Sequence, residues 1–150
     1  SVKERADFTC RVVTAEDEKH NFYVLSVVRD KIASGHADFI YDGWQAYPNI
    51  DLIIIENQQF QSTLVQQLMD EYSHMPIEGK RADSDKVTRA RAVAAKYEAR
   101  RVFHHRSLEG SDFETELLSF PKGHDDMVDA LGYSMDMGGG RFIFGSLPGR

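Results

Sequence analysis

The sequence predicts a mixed α/β domain. Three observations carry this: strand-like segments come first, strands and helices alternate afterwards, and 150 residues are enough to bury a sizeable core. A hydrophobic fraction of 41% with 28% charged residues is ordinary for a globular chain and excludes a disordered or collagen-like one. No apolar run reaches the length of a membrane span, and the N-terminus lacks the basic-then-apolar layout of a signal peptide. Residues 1–140 read as the domain and 141–150 as a C-terminal tail.

The elements follow in order. Phe8 to Thr14 is rich in Phe, Thr and Val and reads as a strand. A polar link, Ala15 to Lys19, joins it to a second strand, Asn21 to Arg29, and the pair is expected to form an antiparallel hairpin. Ala37 to Tyr47 has helical spacing in Ile40, Trp44 and Tyr47, and Pro48 helps to stop it. Ile50 to Glu56 is the strongest strand, because Leu52-Ile53-Ile54-Ile55 is a continuous apolar run covered on both faces. Glu56 sits at its carboxyl end, where ligands and catalytic groups gather in α/β sheets, although a strand-ending charge can simply return to water.

Gln61 to His74 reads as a helix with Leu64, Leu68 and Tyr72 on one face and Val65 and Met69 beside it; Pro76 ends it. Met75 to Glu78 reads as a short strand. Ser84 to Arg100 is an Ala-rich helix that packs through Val87, Ala90, Ala94 and Tyr97 and leaves Lys86, Arg89 and Lys96 available. Arg101 to His105 reads as an edge strand, and His104 and His105 lack partners at metal-ligand spacing. Ser111 to Phe120 is a short helix capped by Ser111 or Asp112, with Glu114 placed for a capping box. The last helix runs from near Asp125 to Met137, where three glycines break it, and Arg141 to Phe144 could be a further strand. Cys10, the single cysteine, excludes an internal disulfide and reads as a packed side chain rather than a nucleophile.

The last helix carries the strongest chemistry. Met127, Val128, Leu131 and Met135 fall on its core side, and Asp125, Asp126 and Asp129 fall together on the other. Clustered carboxylates repel one another, and a helix N-terminus offsets only part of that. Spacing alone admits two readings: a capped, solvated acidic helix start, or a divalent-metal site of hard oxygen ligands with His124 alongside.

Charge is unevenly spread. The chain carries a net −6, yet between Lys80 and Arg106 nine Lys and Arg face three acids. Lys80, Arg81, Lys86, Arg89, Arg91 and Lys96 therefore read as a basic strip suited to phosphates, or as an ordinary basic helix face balanced elsewhere.

The run Phe120-Pro121-Lys122-Gly123-His124-Asp125-Asp126-Met127-Val128-Asp129-Ala130-Leu131 resembles the end of the nuclease domain in the large subunit of tailed-bacteriophage terminases. It is one residue tighter between Gly and His than some members. Ile54-Ile55-Glu56-Asn57 is similar to that family's second catalytic carboxylate on its central strand, and Asp85-Lys86-Val87-Thr88-Arg89-Ala90 to a segment preceding its basic helix. Phe113, Glu116, Leu117 and Phe120 resemble the helix leading into the acidic run.

The resemblance implies an RNase H-like fold, a mixed sheet flanked by helices, and metal-dependent endonuclease cleavage of double-stranded DNA during genome packaging in the host cytoplasm. It implies Glu56, Asp125 and Asp126 as catalytic metal ligands, with His124 and Asp129 in support. The cofactor would be Mg²⁺ or Mn²⁺, two ions roughly 3.5–4 Å apart. Partners would be double-stranded DNA, an ATPase domain, the small terminase subunit and the portal; no membrane is involved. ATP hydrolysis is not encoded, since there is no phosphate-binding G-x-x-x-x-G-K-[ST] loop.

The family's first catalytic aspartate lies on a strand before the hairpin, a strand central to the sheet. By this resemblance Ser1 falls beyond that strand, and Asp7 resembles a later turn position. These residues alone are therefore expected to form an opened sheet and a poor nuclease. Other readings are a resolvase-type nuclease of the same fold or a catalytically inactive DNA- or protein-binding domain.

Overall fold

The computed structural model describes residues 8–56, 61–80 and 85–135. Asp7, Asn57, Arg81 and the strand expected at Arg141 to Phe144 lie outside them.

A hairpin begins the domain. Strand β1 (Thr9–Glu16) pairs antiparallel with β2 (Phe22–Asp30), with an irregularity between Val13 and Thr14. The connection is tight because Asp17 organises it. Its carboxylate accepts the backbone N–H groups of Lys19 and Asn21 (both 2.9 Å), the Asn21 side-chain amide (3.1 Å) and the Tyr23 hydroxyl (2.9 Å). These donors, led by the Asn21 N–H, hold the Asp17 carboxyl down at about 2, against an ordinary 3.8. A depressed folded-state pKa stabilises above the unfolded value and is lost as pH falls through the folded one. Asp17→Ala should therefore melt below the parent at pH 7, with the gap closing between about pH 4 and pH 2. Thermal unfolding across that range checks this; a gap independent of pH would contradict it.

Helix α1 (His36–Ala46) leads into β3 (Ile53–Glu56), then α2 (Gln61–Glu71) and β4 (Ile77–Lys80). β3 and β4 pair in parallel. Ile53, Ile54 and Ile55 are all buried, as a strand covered on both faces requires. One core surrounds them: Ala37, Ile50, Leu68 and Met75 close over Ile53 and Ile55, with Trp44 and Tyr72 at the margin.

Helix α3 (Lys86–Glu98) is capped by Asp85, whose side chain accepts the Thr88 N–H at 2.7 Å. It is followed by β5 (Val102–His104), parallel to β2, so the first sheet is ordered β1-β2-β5. The described strands thus fall into two hydrogen-bonded groups rather than one sheet. Helices α4 (Asp112–Ser119) and α5 (Asp126–Met135) complete the fold. The second core joins Val12, Phe22, Val24 and Val93 to Phe113, Met127 and Leu131.

Helix α2 ends at Glu71 rather than His74, β4 is Ile77–Lys80 rather than Met75 to Glu78, and two further details differ from the expectation. Ser111 does cap α4, accepting the Glu114 N–H at 3.4 Å, but the Glu114 carboxylate reaches the Gly110 N–H (2.9 Å) and His104 Nδ1 (2.6 Å). His104, whose other ring nitrogen lies 2.6 Å from the Tyr97 hydroxyl, thereby joins β5 to α3 and α4. The buried face of α3 also differs. Arg89 and Val93 are buried, whereas Val87 is 51% exposed and Ala94 is exposed. Alanine gives an amphipathic pattern little direction, so the inward stripe runs one position off the predicted one.

Candidate active site around helix α5

The chain enters α5 through a turn that needs glycine at Gly123, where φ is +77°. Seven residues of the helix are buried, from Met127 and Val128 through Leu131 to Met135. It packs against β1, α3 and α4, and Asp125, Asp126 and Asp129 are each partly buried rather than fully solvated.

Asp125 approaches Lys86 at 3.3 Å, a pair with side chains 33% and 56% exposed. Asp129 accepts from Arg89 Nε at 3.0 Å and from a terminal guanidinium nitrogen at 2.7 Å. These side chains are only 14% and 4% exposed. Asp126 lies within electrostatic reach of Cys10 on β1: its charge, after burial itself, helps push the Cys10 thiol up to about 12. Cys10 thus keeps its proton and acts as a packed side chain. His124 is exposed, its ring edge-on to Phe8 at 5.1 Å.

The helix start is capped from elsewhere. Glu116 of α4, buried, accepts the Val128 N–H at 2.8 Å and pairs with Arg29 at 3.2 Å. Burial raises its carboxyl, while the Val128 and Met127 N–H groups and Arg29 pull it back. One signal could have identified this cap: Glu116 interrupts the apolar stripe of Phe113, Leu117 and Phe120.

Glu56, at the end of β3, meets the same helix. The Tyr133 hydroxyl donates to its Oε1 at 3.2 Å. Burial, then the Glu56 charge, pushes the Tyr133 phenol well above its ordinary value and keeps it a donor. Asp126, Asp129 and Tyr133 share one stripe of α5, because three- and four-residue steps fall on one side. Glu56 therefore addresses the stripe that begins with Asp126, about 10 Å further along the axis at 1.5 Å per residue. A shallow cleft beside it is lined by Lys86, Ala90, Phe120, Asp125, Val128 and Asp129.

The basic strip does not form one outward face. Lys86, Arg89 and Lys96 lie on the inner side of α3, and the Lys96 ammonium sits 5.2 Å from the Phe22 ring centre. Arg89 is a buried ion-pair partner and not an available phosphate contact. Arg91 points outward and is exposed. Lys80 stands opposite Glu56 in the β3–β4 register.

The donor chemistry suits a hard cation: carboxylates without thiolate or paired imidazole favour Mg²⁺ or Mn²⁺ over zinc. The number does not. Among the described residues no three His, Cys, Asp or Glu side chains are grouped to hold a metal. Asp125 and Asp129 already face cations of the chain, so the side chains as placed do not form a cage.

A family model described as the terminase RNaseH-like domain matches residues 1–137. No curated protein matches. Among solved structures the chain is similar to the Fowlpox virus resolvase, crystallised in complex with its substrate Holliday junction DNA. That likeness has a TM-score of 0.48 at 10% identity, covering 84% of this chain and 86% of the other.

Proposed function

The chain belongs to the terminase RNaseH-like domain family, and from that premise we propose that it is the nuclease domain of a phage terminase large subunit. It hydrolyses phosphodiester bonds of double-stranded DNA during genome packaging. The observation that carries the proposal is the family match across residues 1–137, which contains both Glu56 and the acidic start of α5. The hydrogen bond from Tyr133 to Glu56, which ties the end of β3 to the helix that starts at Asp126, supports it.

Hydrolysis joins a water oxygen to phosphorus and releases the 3′ oxygen, which must collect a proton. The phosphate brings negative charge to an already acidic helix start, so the reaction needs positive charge there. Lys86 is the cation best placed among the described residues to turn from Asp125 to a phosphate, being the more exposed of the α3 cations that face α5. Arg91 extends the grip on the outer side of the helix. Such contacts are indifferent to sequence and sensitive to salt. Dependence on Mg²⁺ or Mn²⁺, two ions in number, rests on the family resemblance and on the all-carboxylate donor set. Work within a packaging machine, with an ATPase domain, a small subunit and a portal in the host cytoplasm, belongs to the same reading. No helix among the described residues is long and apolar enough to cross a membrane.

The test is cleavage of linear duplex and of a four-way junction by one preparation of this domain joined to the strand that the family resemblance puts before the hairpin, with Mg²⁺, Mn²⁺ or chelator. The expected result is metal-dependent cutting of linear duplex without preference for the branch. A strong preference for the junction would move the assignment to a resolvase, and salt-sensitive binding without cutting would move it to a binding domain.

A further inference from the structure

We infer that Tyr133 is a positioning residue for the cleavage reaction, fixing the Glu56 carboxylate through its hydroxyl while Arg89 fixes Tyr133. This rests on the nuclease reading and adds to it two residues that do not touch DNA. The Tyr133 hydroxyl donates to Glu56 Oε1 at 3.2 Å. The Arg89 guanidinium carbon lies 4.4 Å from the centre of the Tyr133 ring. The same guanidinium donates to Asp129 at 2.7 and 3.0 Å, which locks its plane. A chain of contacts therefore runs from Asp129 through Arg89 and Tyr133 to the end of β3, a separate element from α3 and α5.

The backbone is shaped for that contact. A Cβ on Gly132 would come within 3.3 Å of the Arg89 Cβ and 3.8 Å of Val93 Cγ2. Glycine there lets α3 sit close on α5, and a Cβ would require Arg89 to give by a few tenths of an ångström. The ring is buried at 7% exposure, so its hydroxyl has few other directions. A carboxylate at a strand end has free rotamers; a buried donor aimed at one oxygen selects among them.

Tyr133→Phe separates this role from packing, because it keeps the ring, its burial and the Arg89 contact and removes one oxygen. We expect an unfolding midpoint close to the parent, an unchanged KM for duplex DNA, and kcat lower by about 10-fold, the low end for groups that orient a reacting ligand. In a Glu56→Ala background the same change should cost nothing further. Gly132→Ala, which pushes Arg89 away by a few tenths of an ångström, should lower kcat in the same sense. A kcat for Tyr133→Phe within about twofold of an active parent would overturn the positioning role while leaving the nuclease standing. So would a loss that merely tracks the unfolded fraction, or one that persists without Glu56. A parent that carries the strand before the hairpin and still cuts no duplex under any metal condition would instead remove the nuclease reading, and the positioning role with it.

Discussion

Arg89→Ala is expected to destabilise the domain by about 3–5 kcal/mol, the usual cost of stripping one partner from a buried ion pair. Asp129 would remain 14% exposed with its opposing guanidinium gone. The ring of Tyr133 would also lose its cation. Against a typical total of 5–15 kcal/mol this is a large fraction, and the urea midpoint should fall by about 1–3 M. Lys86→Ala is the control. Its pair with Asp125 is half in water, so its loss should cost under about 1 kcal/mol. Arg89→Met combined with Asp129→Leu should recover much of the stability, because the buried charge disappears with its partner. Urea denaturation of the four proteins decides the matter. If Arg89→Ala unfolded with the parent's midpoint but bound duplex DNA weakly at every sequence, the residue would be a phosphate contact after all.

That contrast shows where the sequence was legible. Period and punctuation identified the elements. Ile53-Ile54-Ile55 required a doubly covered strand, Pro48 closely follows the end of α1, and Met127, Val128, Leu131 and Met135 marked the buried side of α5, whereas α2 ends at Glu71, before the expected His74 and well short of Pro76. Direction was harder to read. A count of Lys and Arg between Lys80 and Arg106 does not say which way a helix turns, and alanines at 90, 92, 94 and 95 fit either face. A long cation can also lie along an apolar surface, as Lys96 does over Phe22. The α5 cap was hidden for another reason: Glu116 and Val128 are twelve positions apart, and only the packing of α4 on α5 brings them together. Glu56 was readable from its strand end, but its partner Tyr133 was not, because one hydroxyl in an apolar run looks like core.

Asp126→Asn and Glu56→Gln are each expected to lower kcat for duplex cleavage by at least about 100-fold, as removal of a group acting directly on developing charge does. The three α5 carboxylates predict different companions to that loss. Asp129 is held by buried Arg89, so neutralising it should cost stability as well as activity. Asp125 shares an exposed pair with Lys86, so its loss should be mild in stability. Asp126 lies within electrostatic reach of buried Glu116 and of Cys10 and, after burial, helps to raise both groups. Asp126→Asn removes the charge and keeps the shape, so it should cut hardly at all while melting close to the parent temperature. A carboxylate whose loss removes turnover and leaves the fold standing acts in the chemistry, whereas a structural carboxylate loses both properties together. Melting curves and single-turnover cleavage on one preparation measure the two. If Asp126→Asn kept cleavage within about tenfold of the parent, or melted several degrees lower, the reaction would have to be centred elsewhere along the helix.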